Sequence, residues 1–245
     1  MMSANNPQDF PAAGHAQTLS ATSLNDRLAE AAHYAVLNRL MPVLRHDVAG
    51  AMQPTRMLLM VLEKRLQAVD PDFQAIAKNV TSVSTLSKQA SASCLAALGW
   101  MASSEDVQAG LQNFVDEAII LLAMELFNNS LTLVNSIENN SATASLAFLR
   151  SVLMGALLAF CDQHVEGGTV EVTLASATAC DAVPRPAQLL IRMLPGERVK
   201  PPPMPDVVRQ YRMIGWSDVE ALARASGVQM AQGDGWISLS LPGLG

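Results

Sequence analysis

The sequence predicts an α+β protein, in which an N-terminal helical hairpin pairs with a second copy into a four-helix bundle and precedes a domain of helices and strands. Apolar residues keep helical spacing almost without interruption over residues 23–69 and again over 71–101. Helical segments then alternate with short strand-like runs. We therefore expect a flexible arm at 1–22, a hairpin for dimerisation at 23–104 and a second domain at 105–245.

Composition excludes several classes of protein. Half of the residues are apolar, enough for a sizeable core, yet no run reaches the roughly 18 uncharged residues that a membrane span needs. The net charge of -6 and the 4% aromatic content argue against nucleic-acid binding, which needs a basic face. The polar N-terminal residues lack a signal-peptide pattern, so we expect a cytoplasmic protein without membrane contact. Cys94, Cys161 and Cys180 are too widely spaced for a disulfide framework or zinc site and are interpreted as core residues.

The first two predicted helices form an antiparallel pair. The first begins near Ser23, a capping residue, and is expected to bend at Pro42. A turn at 70–72 leads into the second helix. A hairpin of this length cannot bury its apolar side alone, which predicts a homodimer. The alternative is that the hairpin packs on the rest of its own chain.

The predicted second domain has helices on one face of a mixed or antiparallel sheet. Its expected elements are a helix at 114–127, a strand at 130–134, a helix at 145–163, strands at 169–174 and 187–194, a helix at 206–226 broken near Gly215, and a closing hairpin with strands at 228–230 and 236–241.

His46 and Asp47 are the candidate catalytic residues. The helical spacing turns His46 away from the apolar face of the first helix. An imidazole can accept a phosphoryl group on nitrogen, and an adjacent carboxylate can hydrogen-bond the ring and favour the attacking tautomer.

Three neighbours are the candidate partner-binding residues. Arg45 could steer an acidic partner, Gly50 could allow a partner to approach closely, and Met52 could belong to an adaptable docking surface. Each also has a simpler interpretation: a solvated arginine, a glycine packed tightly between helices, and a methionine in the core.

This stretch resembles the phosphoacceptor box of bacterial histidine kinases. In that family the histidine is followed by an acidic residue and by aliphatic residues at plus two and plus six, which here are Asp47, Val48 and Met52. Gly50 and Ala51 depart from the family, which often has Thr or Asn at plus four and usually proline at plus five.

Residues 149–172 and 219–242 resemble the ATP-binding domain of the same kinases, a fold shared with gyrase and Hsp90-like proteins. In the family, asparagines on the first of these helices hold magnesium and phosphates, but the matching positions here are Gly155 and Ala159. The adenine-reading Asp-x-Gly-x-Gly loop is missing from 195–201, and the glycine-rich lid is missing too. The resemblance therefore implies a degenerate ATPase-like α/β sandwich that binds no nucleotide, other cofactor or metal.

These observations predict a histidine phosphotransfer protein of a bacterial two-component phosphorelay. His46 would receive a phosphoryl group from one response-regulator receiver domain and pass it to another. Two alternatives stay open: a non-catalytic dimeric scaffold that binds a histidine kinase or a receiver domain, and an ATP-dependent histidine kinase with an unusual site.

Overall fold

A computed structural model describes residues 21–101, 107–138, 141–164, 167–175, 187–195 and 211–241. Two long helices, α1 (Ala21–Leu66) and α2 (Phe73–Gly99), form the predicted hairpin. Asp72 begins α2, because its Oδ1 accepts a hydrogen bond from the Ala75 N–H at 3.0 Å. α1 continues through Pro42 and Pro54, each of which removes one backbone donor from the helix.

The second domain contains the remaining helices and strands. In chain order they are β1 (Gln108–Gly110), α3 (Leu111–Leu121), α4 (Ala123–Asn128), β2 (Leu131–Asn135), β3 (Thr143–Ser145), α5 (Leu146–Phe148), a π-helical turn (Leu149–Leu153), α6 (Met154–Gln163), β4 (Gly168–Ala175), β5 (Gln188–Met193), α7 (Trp216–Ala225), β6 (Met230–Gly233) and β7 (Trp236–Ser240).

Five strands form one mixed sheet in the order β2-β4-β5-β7-β6, and β1 pairs separately with β3. Only β2 and β4 are parallel among the pairs of the five-stranded sheet, and the helical stretch that ends with α6 makes the crossover between them. This arrangement confirms the predicted α+β class and mixed sheet.

Two local predictions were wrong, and one strand pair was missed. The expected helix at 114–127 is two helices, separated at Leu122, which has φ -92° and ψ 4°. The expected helix at 206–226 is not helical at 211–215, and 206–210 lie outside the described residues. α7 begins at Trp216 because the Asp218 carboxylate accepts a hydrogen bond from the Gly215 N–H at 2.9 Å. The β1–β3 pair was not predicted, since three-residue strands carry almost no periodic signal.

The helical stretch Leu146–Gln163 lies at the centre of the core. By length and composition it could cross a membrane, but 72% of it is buried inside the protein, as in the core helix of a soluble domain. It packs against the inward faces of the strands, where residues such as Val172 and Ile191 are fully buried.

The N-terminal half of α1 belongs to the same core. A stripe of its residues is at most 7% exposed, comprising Ala29, Ala32, Val36, Leu40 and Leu44. This half of the helix packs against α6 and α7. The alternative in which the hairpin packs on its own chain is therefore found for the first half of α1, and also for the end of α2, where Trp100 is 3% exposed.

Candidate functional site

The five residues predicted as a site lie together in the middle of α1, and all are exposed. The side chains of His46 and Asp47 are 86% and 56% exposed. Their closest approach joins His46 Nδ1 to Asp47 Oδ1 at 3.6 Å, which is longer than a hydrogen bond. The expected hydrogen bond is not made in this structure, although the carboxylate lies on the Nδ1 side of the ring.

Gly50 lies one turn after His46 and faces open space. A Cβ added there would meet no atom within 4 Å. The interpretation of Gly50 as a glycine packed tightly between helices is therefore wrong within the described chain.

An apolar groove of about 550 Å³ runs between α1 and α2 beyond the candidate site. Met52 and Leu59 line one wall, and Cys94 and Leu95 line the other. Seven large apolar side chains of this part of the hairpin are 45–69% exposed, namely Met52, Met57, Leu59, Met60, Val61, Leu95 and Leu98. The interpretation of Met52 as a core methionine is therefore wrong within the described chain.

His46 does not face this groove. At about 100° per residue, His46 is about 120° around the helix axis from Met52. A molecule that covered the groove would therefore leave the imidazole exposed.

The face of α6 that carries Gly155 and Ala159 is closed by packing. A Cβ on Gly155 would lie 3.0 Å from Leu222 Cδ1 of α7 and 3.5 Å from Val36 Cγ2 of α1. Ala159 is fully buried. A ligating side chain, or a ligand for it, has no space on this face in the described structure.

Farther along the same face, Asp162 forms a buried cluster that the sequence reasoning missed. Arg39 Nη2 donates to Asp162 Oδ1 at 2.8 Å, and Arg39 Nε donates to Glu125 Oε1 of α4 at 2.6 Å. Asp162 Oδ2 also accepts from the Ile214 N–H at 2.8 Å. The side chains of Arg39 and Asp162 are 5% and 0% exposed. The sequence did contain a signal for this cluster. Arg39 lies on the apolar side of the first helix, and a buried arginine needs an acidic partner.

The cluster affects the titration of Arg39 and of the neighbouring Cys161. Burial lowers the pKa of Arg39, but the hydrogen bonds and charges of Glu125 and Asp162 outweigh it and raise the pKa above its ordinary value. Burial, together with the charges of Glu125 and Asp162, raises the pKa of the Cys161 thiol to about 12. Cys161 is thus an inert core residue as predicted, whereas Cys94 is partly exposed and Cys180 lies outside the described residues.

A larger cavity, of about 860 Å³, opens at the edge of the sheet where β5 ends. His164, Trp216 and Asp234 contribute to its walls, and the described residues that line it include no lysine or arginine. A triphosphate is normally held by such cations or by a metal. Most of the 195–201 segment, where the sequence lacks the adenine-reading motif, lies outside the described residues.

No family model and no curated protein matches the sequence. The structure is similar to the catalytic domain of the histidine kinase ThkA, with 12% identity, coverage of 56% of this chain and 94% of that chain, and a TM-score of 0.38. It is also similar to the histidine kinase AdeS of Acinetobacter baumannii, with 15% identity, coverage of 76% and 96%, and a TM-score of 0.37.

A third similar structure is ThkA in complex with the response regulator protein TrrA, with 10% identity, coverage of 89% of this chain and 65% of that chain, and a TM-score of 0.38. At these values the kinases assign no role to any residue of this chain.

Proposed function

We propose that this chain is a cytoplasmic histidine phosphotransfer protein that relays a phosphoryl group between response-regulator receiver domains of a two-component phosphorelay. The observation that carries the proposal is the exposure of His46 beside Asp47 on a long helix, while packing closes the α6 face where the resemblance would place nucleotide ligands. The phosphoryl donor is then another protein, and this chain needs no ATP.

The side-chain geometry supports a specific chemical step. Asp47 lies on the Nδ1 side of His46, so a proton on Nδ1 leaves the Nε2 lone pair free to attack. Nε2 forms a bond to the phosphorus of an aspartyl phosphate on the receiver. The bond from phosphorus to the carboxylate oxygen breaks, and the carboxylate leaves with its electrons. The ring becomes a cationic phosphoimidazole that Asp47 stabilises, and no proton has to leave.

The groove on the hairpin supports a homodimer. A second copy would cover the exposed apolar side chains around Met52 and Leu59, making a four-helix bundle with both His46 side chains outside the interface. Arg45 and Gly50 would then border the surface that a receiver domain meets, whereas Met52 would belong to the dimer interface.

The test is transfer of radiolabel from a panel of purified receiver domains carrying an aspartyl phosphate. We expect acid-labile label on the wild type and none on His46→Gln. His164→Gln is the matched control, because His164 stacks on Phe160 at a helix end far along the sequence, and it should be labelled normally. Label on His46→Gln would overturn the role of His46.

A non-catalytic scaffold is the second candidate, and the missing hydrogen bond between His46 and Asp47 favours it. In that case no label appears on the wild type, although receiver binding measured by calorimetry is retained and is the same for His46→Gln.

A further inference from the structure

Each helix of the hairpin contacts the second domain at a separate place. On α1, Val36 and Leu40 are at most 1% exposed and belong to one apolar cluster with the strands. Arg39, which lies between these two residues in the sequence, forms ion pairs with Asp162 and Glu125. Beyond Leu44, no described residue of α1 is fully buried.

The second contact with this domain is at the C-terminal end of α2. Arg150, in the π-helical turn, donates from Nη1 to the carbonyl oxygen of Gly99, and its guanidinium lies 5.3 Å from the centre of the Trp100 ring. A Cβ on Gly99 would lie only 3.1 Å from Arg150 Nη2, so the glycine permits this approach. A cation beside the last carbonyls of a helix is favourable, and the ring adds a cation–π contact. Trp100 is 3% exposed and contacts Phe114 of α3, with ring centres 5.9 Å apart.

The contacts of α1 with the second domain matter because Pro42 lies among the residues that make them. Proline deprives the Asn38 carbonyl of its helical partner, which creates a point where α1 could bend. Arg39 lies on one side of this point, and the buried Leu44 lies on the other. Arg39 is bound to the second domain, and Leu44 belongs to the same apolar cluster as the strands, so α1 is buried on both sides of the weak point. Pro54 has no buried α1 residue around it.

We propose that the first half of α1 is a structural part of the second domain, so that the base of the hairpin and the sheet unfold as one cooperative unit fastened by Arg39 and Arg150. Residues 29–44 belong to this unit, and the boundary predicted near residue 104 does not separate two independent folding units. His46, two residues beyond it, is carried in a fixed orientation relative to the second domain.

Native-state hydrogen exchange on the full wild-type chain tests the proposal without any substitution. We expect amides of 29–44 to open only with those of β4 and β5, with the same denaturant dependence. If the amides of 29–44 exchange while those of β4 stay protected, the proposal is overturned.

Arg39→Met provides the second arm. The loss of a buried cation from two carboxylates should speed exchange of 29–44 and of β4 together, by roughly a hundredfold or more. Arg27→Met is the matched control, because Arg27 is an exposed arginine in the same half of α1, and it should leave both rates unchanged. Faster exchange of 29–44 alone would contradict a single unit. These outcomes do not depend on whether His46 carries phosphate.

Discussion

Arg39 and Asp162, which are 123 positions apart in the sequence, form a buried ion pair with Nη2 2.8 Å from Oδ1. Glu125 completes the cluster, so removal of the buried arginine breaks its ion pairs with two carboxylates. We expect Arg39→Met to lower the free energy of unfolding by about 3–5 kcal/mol, measured by urea denaturation. Arg27→Met should stay within about 0.5 kcal/mol of the wild type. Equal stabilities for the two variants would show that the cluster contributes nothing.

Gly155→Asn places an amide where the resemblance would have a nucleotide ligand. Because a Cβ there would already lie 3.0 Å from Leu222, we expect a loss of about 1–3 kcal/mol in urea denaturation and no gain of ATP binding by calorimetry. Gly50→Asn is the matched control, since it introduces the same side chain at a helical glycine with open space around it. Magnesium-dependent ATP binding by Gly155→Asn would contradict the closed face.

Gly50→Ala separates helix stability from partner docking. Alanine should stabilise α1 by about 1 kcal/mol, because no atom lies within 4 Å of the new Cβ. If a receiver domain approaches the helix closely at this point, its affinity measured by calorimetry should fall even though the protein becomes more stable. Unchanged affinity would remove Gly50 from the docking surface.

Leu59→Arg tests the proposed homodimer. Leu59 is 47% exposed in the single chain and lines the groove, so an arginine there costs little in the monomer but places a charge inside the bundle. We expect light scattering to report a dimer for the wild type and a monomer for Leu59→Arg. Leu24→Arg is the control, because Leu24 is 52% exposed and lies far from the groove, and it should remain dimeric. A monomeric wild type would contradict the bundle.

His33 should make stability depend on pH. Burial lowers the pKa of His33 below its ordinary value of 6.5, so the unfolded chain binds the proton more readily than the folded chain. This contribution to stability is complete above pH 6.5 and is lost as the pH falls through the folded-state value. Urea denaturation at about pH 7.5 and about pH 5.5 should show a smaller loss for His33→Gln than for the wild type. An equal loss would assign the effect to other groups.

Much of the architecture could be predicted because it depends on local patterns. The spacing of apolar residues located α1, α2, β4 and β5 to within a few residues. The departures came where a local contact decided the outcome, as at the start of α7, where the Asp218 carboxylate accepts a hydrogen bond from the Gly215 N–H. Three-residue strands such as β1 form only because a partner strand is adjacent.

For the candidate site, periodicity correctly indicated that His46 faces away from the apolar stripe of α1. Periodicity could not indicate what covers that stripe. A helix has the same apolar pattern whether it packs on another domain of its own chain or on a second copy of the chain. The structure divides the stripe: Val36 and Leu40 pack on α6 and α7, whereas Met52 and Leu59 stay exposed.

The sequence alone determined the helices, the strands and the placement of an exposed histidine beside a carboxylate. These features depend on the spacing of residues that are close together in the chain. The fastening of α1 to the second domain depends on Arg39, Glu125 and Asp162 meeting across long sequence separations. The closure at Gly155 likewise requires Val36 and Leu222 to converge on one point of α6. Such contacts arise from the packing of whole elements, and packing depends on which faces meet rather than on any local pattern.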